Sequence, residues 1–224
     1  MNMLNKFDET IGIFPEALSK GFCEDLINLF EDPGVQKLAK PGSTIGGQDE
    51  DIKSSLDLDI LGRSAFDTFT NELARVSNEN IEKYIWQWDN PEDSKFDSNL
   101  LFGSDGTHYP IWNIQKYDKG KGHYKGWHCE SVAASRIKEG RQYRVMTAMF
   151  YLNDVEEGGE TCFLYSGLKV RPLAGTFLCW PASWPWIHSG AVPSSNDKYI
   201  VTSWLQGNWA YGIDSLLSSG GNIF

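Results

Sequence analysis

From residue 111 onward the chain is a series of short apolar runs separated by turn residues. Valine, isoleucine, threonine and aromatic residues are frequent in these runs, as is typical of β-strands. Turn signals occur at Glu157–Gly159, Pro172–Gly175 and Pro193–Asp197. Many short strands at close spacing favour two antiparallel sheets packed face to face, as a barrel or a jelly roll. The predicted strands lie near residues 111–117, 144–152, 160–164, 168–171, 176–180, 185–190 and 198–205.

The N-terminal half has a different pattern, which predicts helices. Ile11–Phe14 predicts a short strand, and Pro15 after it is a residue that favours the first turn of a helix. Apolar residues at helical spacing predict a first helix through Phe22–Phe30, ended by Asp32–Gly34. The same spacing predicts a second helix over about residues 66–86. We expect these helices to pack outside the strands.

The length and the order of these elements predict one domain. A chain of 224 residues with 41% apolar residues can form a single all-β domain with a sizeable core. We expect residues 1–110 to supply a strand, helices and loops that support the core, 111–205 to form the jelly-roll core, and 206–224 to form a tail. Segments 40–55 and 89–110, which are rich in Gly, Ser and Asp, predict loops.

Composition and charge argue against several classes of protein. The formal net charge is −10, from 30 acidic and 20 basic residues, so we expect no nucleic-acid partner, because phosphate contacts need clustered Lys and Arg. The best basic cluster, Lys119–Lys125, contains Gly and predicts a solvated turn. No run is apolar enough for a membrane span or a leader peptide, and no Cys-x-x-Cys pair predicts a disulfide framework. We therefore expect a cytoplasmic protein with no membrane partner.

Two histidines and a glutamate give the strongest functional signal. His128 and Glu130 are two residues apart, so on a strand their side chains share a face, and His188 would join them from another strand. Two imidazoles and one carboxylate are the ligands of a mononuclear non-haem iron(II) site with open positions. A histidine on a surface loop and a core histidine bonded to backbone are the alternatives, since a single His-x-Glu is a weak motif.

Lys198 is the second part of this signal. It begins a run in which every second residue through Trp204 shares its face, and a hairpin around residues 193–197 would bring it near His188. A lysine inside a barrel is costly unless an anion pairs with it, which suits a dicarboxylate co-substrate. The alternative is an edge lysine that reaches solvent. The hydroxyls of Thr147 and Tyr117 are further candidates for ligand binding, with core packing as their alternative.

Three stretches of the chain resemble the prolyl 4-hydroxylase group of iron(II)/2-oxoglutarate oxygenases. They are Gln115–Glu130 (QKYDKGKGHYKGWHCE), Arg144–Phe163 (RVMTAMFYLNDVEEGGETCF) and His188–Trp204 (HSGAVPSSNDKYIVTSW), and the run YLNDVEEGGETCF is the most specific. A looser resemblance covers Ile11–Phe30. The resemblance implies a mainly β fold with flanking helices, whose core is a double-stranded β-helix of the jelly-roll or cupin-like type.

The resemblance also implies a role for each site residue. His128, Glu130 and His188 take the positions of the catalytic iron ligands, with glutamate where the family usually has aspartate. Lys198, ten residues after His188, takes the position of the lysine that binds the far carboxylate of 2-oxoglutarate. The other cofactor-binding positions fall on Tyr117, Thr147 and Trp204, the last of these near the substrate end of the site.

On this resemblance the chain is an Fe(II)- and 2-oxoglutarate-dependent dioxygenase that uses O2, releases succinate and CO2, and binds ascorbate. The family's usual substrate is a prolyl residue in a peptide or protein. One alternative is a hydroxylase of a free amino acid or other small molecule, and another is a non-catalytic jelly-roll binding module. A zinc hydrolase would have no need of Lys198, and a halogenase would need the position that Glu130 fills.

Aromatic residues close to these stretches suit a peptide groove, because aromatic grooves bind polyproline II peptides. Core packing is the alternative, and we expect it for more than half of them. Segments 40–65, 89–110 and 131–142 are the predicted mouth of the site, since specificity often resides in loops. The aromatic residues are Trp112, Tyr124, Trp127, Trp184 and Trp186.

Overall fold

The computed structural model describes residues 10–44, 46–89, 109, 111–131 and 143–207. In chain order its elements are β1 (Gly12–Phe14), α1 (Lys20–Glu31), α2 (Pro33–Gln36), β2 (Lys40–Pro41), β3 (Lys53–Ser54), β4 (Leu56–Asp59), α3 (Asp67–Asp89), β5 (Asn113–Tyr117), β6 (His123–His128), β7 (Tyr143–Tyr151), β8 (Thr161–Phe163), β9 (Lys169–Val170), β10 (Phe177–Pro181), β11 (His188–Gly190) and β12 (Lys198–Gly207). A short 3₁₀ turn, Ser64–Phe66, precedes α3.

The strands form two antiparallel sheets. The larger has seven strands in the order β1-β10-β7-β12-β5-β4-β2, and the smaller has five in the order β3-β6-β11-β8-β9. From β5 to β8, and again from β9 to β12, the chain alternates between the two sheets, as it does in a jelly roll. The predicted fold, a mainly β jelly roll with flanking helices, is confirmed.

The larger sheet separates two cores. On one face, Phe150 of β7 belongs to the same buried cluster as Phe30 of α1 and Leu73 of α3. On the other face, its neighbour Tyr151 belongs to a cluster with Phe163 of the smaller sheet. This alternation follows from the two-residue period of a strand, and each fully buried side chain of this size contributes about 1.5–3 kcal/mol. The helices therefore support the sheet from outside and leave its inner face to the second sheet.

The first helix begins later than the sequence predicts. Ser19 caps α1, and its Oγ accepts a hydrogen bond of 3.2 Å from the backbone N–H of Phe22. The predicted helix start at Pro15 is wrong, because residues 15–18 form a turn and the backbone N–H of Leu18 donates to the carbonyl of Gly175 at 3.0 Å. The predicted end of α1 at Asp32–Gly34 and the predicted second helix, α3, are confirmed.

Several strands lie in segments that the sequence pattern predicts as loops or turns. β6 begins at His123, inside the basic segment predicted as a solvated turn, and the turn itself is confined to residues 118–122. β2 and β3 lie within the segment 40–55 that was predicted as a loop. These strands carry charged or glycine residues in place of the alternating apolar pattern, so they give no clear signal. The helices described here include none long and apolar enough to cross a bilayer.

The domain division at residue 110 stays a prediction. Three strands that precede it, β1, β2 and β4, are hydrogen-bonded into the larger sheet, and β3 is bonded to β6 of the smaller one. The N-terminal segment thus extends both sheets as well as supplying the helices.

A buried ion pair joins the two sheets where the chain passes from β3 to β4. Lys53 Nζ lies 2.6 Å from Asp57 Oδ2, and the side chains are 4% and 15% exposed. Asp57 also accepts hydrogen bonds from Ser55 Oγ at 2.7 Å and from Asn113 Nδ2 at 3.2 Å. Since β3 and β4 belong to opposite sheets, this pair closes one side of the jelly roll.

We predict that Asp57→Asn lowers the free energy of unfolding by about 3 kcal/mol, because removing one partner leaves a buried charge uncompensated. Urea unfolding monitored by tryptophan fluorescence measures the change. Arg75→Gln is the matched control: Arg75 pairs with Glu72 and Glu79 on the exposed face of α3, and such pairs contribute at most about 1 kcal/mol. Equal effects of the two changes would contradict a special role for the Lys53–Asp57 pair.

Candidate metal centre

A cavity of about 570 Å³ lies between the inner faces of the two sheets. It is lined by residues from both of them, and the strands β5, β6, β7, β11 and β12 contribute the residues predicted to form the site, except Glu130, which follows the end of β6. The structure therefore brings all of these side chains to one cavity, while their chemical roles stay predictions. The residues are His128, Glu130, His188, Lys198, Tyr117, Thr147 and Trp204.

Two histidines and one glutamate form a compact cluster of ligand atoms in this cavity. His128 ends β6 and His188 begins β11, and the two are directly paired across these strands. Glu130 Oε1 lies 3.5 Å from His128 Nε2 and 3.7 Å from His188 Nε2. The ligand atoms of all three residues lie within 4.8 Å of one another. Donors held this close can reach one ion, since metal–nitrogen and metal–oxygen bonds are about 2.0–2.2 Å long.

Each imidazole is oriented by a backbone carbonyl. His128 Nδ1 lies 2.7 Å from the carbonyl oxygen of Gly126, and His188 Nδ1 lies 3.0 Å from that of Trp186. A carbonyl oxygen only accepts hydrogen bonds, so Nδ1 carries the proton in both rings and donates. The Nε2 atoms then face Glu130, where each can donate a proton to the carboxylate or, once deprotonated, offer its lone pair to a metal, as metal-binding histidines do.

Glu130 lies just beyond β6, and its backbone N–H donates to the carbonyl of Ala182 at 2.8 Å. Burial raises the pKa of its carboxyl, but hydrogen bonds from His128 and His188, when their Nε2 atoms carry protons, outweigh this and hold the pKa well below its usual range. The carboxylate is therefore charged, and positive charge between it and the two rings is stabilised. This donor set fits a divalent cation.

Arg144 binds the other oxygen of Glu130, a contact that the sequence analysis missed. Its Nη1 lies 2.7 Å from Glu130 Oε2, and its guanidinium carbon lies 3.5 Å from the ring centroid of Trp204. The only sequence signal is an arginine at the start of the apolar run of β7. That signal does not identify a partner that is 14 residues away along the chain.

Aromatic rings fix the orientation of the two histidines. Tyr124 stacks on His128 with ring centroids 3.8 Å apart and an interplanar angle of 15°. Trp180 lies edge-on to His188, with centroids 4.9 Å apart and an angle of 75°. These contacts limit rotation about the side-chain bonds, so the two Nε2 atoms stay near Glu130. Trp180 was also missed from the sequence, because it resembles any buried strand residue.

Lys198 lies in the same cavity without an acidic partner among the residues described. It is 3% exposed, and its Nζ donates to the backbone carbonyl of Gly159. Burial lowers the pKa of Lys198 to about 8. The hairpin predicted to bring Lys198 near His188 is wrong, because β11 and β12 lie in opposite sheets. The two residues instead face the cavity from its two sides.

Three other residues that line the cavity have a buried polar atom without a hydrogen-bond partner in the described part of the chain. They are Thr147 Oγ1, Trp180 Nε1 and Trp204 Nε1. An unpaired buried polar group costs about 1–3 kcal/mol, so these atoms indicate a place where a polar ligand binds. The Tyr117 hydroxyl differs, since it already donates to Gln115 Oε1 at 2.7 Å, and burial raises the pKa of that phenol well above its usual value.

The aromatic residues predicted near the site divide between cavity, core and surface. Tyr124 and the half-exposed Trp127 line the cavity, whereas Trp112 is buried in the core beneath the helices. Trp186 packs against the cluster between the sheets, and Trp184 is 67% exposed. Of the predicted mouth, six residues between positions 43 and 57 line the cavity: Ser43, Thr44, Gly46, Ile52, Lys53 and Asp57. Segment 89–110, apart from Tyr109 and the last residue of α3, and segment 131–142, apart from Ser131, lie outside the described residues.

Comparison with known proteins finds a family that is similar to the part of the chain around this cavity. Residues 112–206 match the profile of the 2OG-Fe(II) oxygenase superfamily. This segment contains all the site residues named above and the strands β5 to β12 except the last residue of β12.

Curated relatives cover the same part of the chain. Human prolyl 4-hydroxylase subunit alpha-3 is 30% identical over 95 residues, which are 38% of this chain and 17% of the relative. Probable prolyl 4-hydroxylase 9 of Arabidopsis thaliana is 25% identical over 122 residues, which are 45% of this chain and 42% of the relative. The chain thus spans less than half the length of these relatives.

Solved structures of similar fold cover more of the chain. A viral collagen prolyl hydroxylase from Paramecium Bursaria Chlorella virus-1, in complex with 2OG, has a TM-score of 0.64 at 17% identity, over 89% of this chain and 97% of that one. A prolyl-4-hydroxylase of Pseudomonas putida has a TM-score of 0.61 at 16% identity, over 92% and 100% of the two chains. In residues 112–206 the chain is thus similar to the 2OG-Fe(II) oxygenase superfamily, and its fold is similar to that of solved prolyl hydroxylases.

Proposed function

We propose that this protein is an iron(II)- and 2-oxoglutarate-dependent oxygenase that hydroxylates a prolyl residue in a peptide or protein. One observation carries the proposal: His128, Glu130 and His188 cluster in the same cavity as Lys198, a buried cation without an acidic partner among the described residues. A metal-ligand set and an anion site facing one cavity are what this chemistry requires.

Iron(II) would be held by Nε2 of His128 and of His188 and by a carboxylate oxygen of Glu130. Three protein ligands leave positions for the co-substrate and for O2. The bound metal would activate O2, which is the oxidant: one oxygen atom would enter succinate as 2-oxoglutarate loses CO2, and the other would enter the substrate C–H bond. The protein's own part is to place these groups and to keep water away from them. Met149 and Ile200 line the cavity with apolar side chains, which help to exclude water.

The co-substrate would lie between the metal and Lys198. The far carboxylate would take a charge-assisted hydrogen bond from Lys198 Nζ, which also compensates the buried positive charge. Thr147 lines the cavity, and its Oγ1 has no hydrogen-bond partner among the described residues, so it would be able to donate to the same molecule. Tyr117 would have to exchange its bond to Gln115 for one to the ligand, so we assign it a secondary part.

A prolyl substrate is supported by the aromatic wall of the cavity. Trp127, 51% exposed, and Tyr124 line the side on which residues 43–57 also lie. Proline rings pack on aromatic faces, and extended peptides enter such grooves with little loss of entropy. One neighbour, a prolyl hydroxylase of Trichoplax adhaerens with a TM-score of 0.64, is solved with a peptide fragment bound. The cytoplasmic location and ascorbate binding expected from the sequence stay predictions.

Hydroxylation of a free amino acid is the second candidate, and a polar wall of the cavity favours it. Asn113, Gln115 and Thr202 face the cavity next to the Lys53–Asp57 pair. Such groups can bind the amino and carboxyl groups of a small substrate, whereas a peptide chain needs an open groove.

We predict that the protein binds one divalent cation and that His188→Ala weakens this binding at least 100-fold, because one of three ligands is lost. Isothermal titration of the metal-free protein with Co(II) measures the affinity. His123→Ala is the matched control, since His123 is a buried histidine of β6 whose Nδ1 lies 2.7 Å from a backbone carbonyl and which lies outside the cluster. Wild-type affinity in His188→Ala would contradict the metal site.

We predict that the affinity for 2-oxoglutarate decreases as the pH rises above about 8. The protonated lysine binds the carboxylate, and burial lowers the pKa of Lys198 to about 8. Affinity should thus be constant below this pH and fall by up to about tenfold per pH unit above it. Anaerobic titration of the Fe(II) protein, followed by the visible metal-to-ligand charge-transfer band, measures the affinity. Lys198→Arg, which stays charged, should abolish the dependence on pH, and an unchanged dependence would exclude Lys198 as its source.

We predict that proline-containing peptides, but not free amino acids, stimulate succinate formation and gain 16 Da. Mass spectrometry and a succinate assay over a panel of both substrate types test this. Trp127→Ala should raise KM for the peptide at least threefold and leave the affinity for 2-oxoglutarate unchanged, because Trp127 is exposed at the mouth. Turnover of free amino acids alone would favour the second candidate, and a protein that binds metal but turns over neither would favour a binding module.

A further inference from the structure

Glu130 has one more rotatable side-chain bond than an aspartate would have, so its carboxylate needs an additional restraint to stay beside the two imidazoles. Its backbone offers part of this restraint: the N–H of Glu130 donates to the carbonyl of Ala182 at 2.8 Å, and the N–H of Ala182 donates to the carbonyl of Val145 at 2.9 Å. These bonds link Glu130 to β7 directly beside Arg144. They leave the torsions of the longer side chain undetermined.

The two oxygens of Glu130 have different partners. Oε1 faces the imidazoles, 3.5 Å from His128 Nε2 and 3.7 Å from His188 Nε2, whereas Oε2 accepts the 2.7 Å bond from Arg144 Nη1. An oxygen that already accepts a short hydrogen bond from an arginine is a weaker donor to a metal than the other oxygen. The bond to Arg144 therefore favours donation through a single oxygen and keeps a further metal position free.

Arg144 is itself held in place on two sides. Its backbone is part of β7, where it is paired with Gln206 of β12, and its guanidinium stacks on the ring of Trp204 with 3.5 Å between Cζ and the ring centroid. A planar guanidinium can stack on one face and donate along its edge at the same time, which an ammonium group cannot do. Trp204, two strand positions from Gln206, thus supports the arginine from the neighbouring strand.

We propose that Arg144, held by Trp204, is a positioning residue that fixes Glu130 in one-oxygen donation to the metal. This inference rests on the proposed metal site and deepens it. It also predicts whether removing Arg144 strengthens or weakens metal binding. As a charge alone, a cation beside the site would repel a metal dication, so its removal would tighten metal binding. As a positioning residue, Arg144 raises the metal affinity, so its removal would weaken it.

The test is a Co(II) titration of the metal-free protein, with the ligand-field spectrum recorded at saturation. We expect Arg144→Met to weaken Co(II) binding about 10- to 100-fold, the range seen when the partner of a metal ligand is removed. The spectrum should change as well, because the free carboxylate can then offer both oxygens. Arg144→Lys keeps the charge but cannot both stack and donate, so it should weaken binding to a similar degree.

Two comparisons separate positioning from general stability. Arg75→Met removes an arginine that binds two glutamates on exposed α3, and it should leave Co(II) affinity unchanged. In a Glu130→Asp background the shorter side chain cannot span the histidines and Arg144 together, so Arg144→Met should change affinity less than threefold. Thermal unfolding of each metal-free variant identifies any variant that fails to fold. If Arg144→Met does not fold, the Co(II) affinity of Arg144→Lys is compared with that of the wild type instead.

The outcomes are distinguishable. Weaker binding in folded Arg144→Met and Arg144→Lys, with coupling to Glu130→Asp, supports the proposal. Unchanged or tighter binding in either folded variant overturns it, and so does an equal loss in the Glu130→Asp background. A wild-type protein that binds no Co(II) would overturn the proposed metal site and this inference together, whereas normal wild-type binding with no effect at Arg144 overturns the inference alone.

Discussion

The pairing of His128 with His188 across β6 and β11 is the contact on which the site depends. Because side chains alternate between the faces of a strand, a slip of one residue in this register would turn one histidine away from the cavity. The register is maintained from both sides, since His188 is also paired with Phe163 of β8. Backbone carbonyls of Gly126 and Trp186 then orient the rings. The sheet therefore sets the distance between two ligand atoms before any metal is bound.

The parts of this fold that the sequence could predict are those with a local signal. Helical spacing identified α1 and α3, and turn residues separated most of the later strands. β6 was missed because its residues, HYKGWH, include lysine and glycine and lack apolar alternation. Its strand character comes from its partners β3 and β11, which is information that no local pattern carries.

In the candidate site, too, only the residues with a local sequence signal could be predicted. The ligand residues could be found because the runs that contain them resemble a known group, whereas His-x-Glu alone is a weak motif. The route by which Lys198 reaches the cavity was not predictable from the turn before it, since the chain passes there from one sheet to the other. Arg144 and Trp180 contribute through contacts with residues distant in sequence, so a single sequence gives no reason to select them over other strand residues.

The cavity holds an arrangement that lowers stability. Among the described residues, Lys198 is buried without an ion pair to a carboxylate, and polar atoms of Thr147, Trp180 and Trp204 lack hydrogen-bond partners. A core built for stability alone would fill these positions with apolar side chains. Natural proteins depart from such rules mainly at functional sites, where a ligand supplies the missing partners. A ligand that satisfies these four residues would have an anionic group at one end and hydrogen-bonding atoms along its length.

The charged side chains that line the cavity also favour an anionic ligand. Three of them are cationic, Lys53, Arg144 and Lys198, and two are anionic, Asp57 and Glu130, although the chain as a whole has a net charge of −10. A divalent metal would add to this excess of positive charge in a region of low dielectric constant, where unbalanced charge is expensive. A dicarboxylate that reaches both the metal and Lys198 balances it. Metal and co-substrate should therefore bind cooperatively, because each reduces the electrostatic cost of the other.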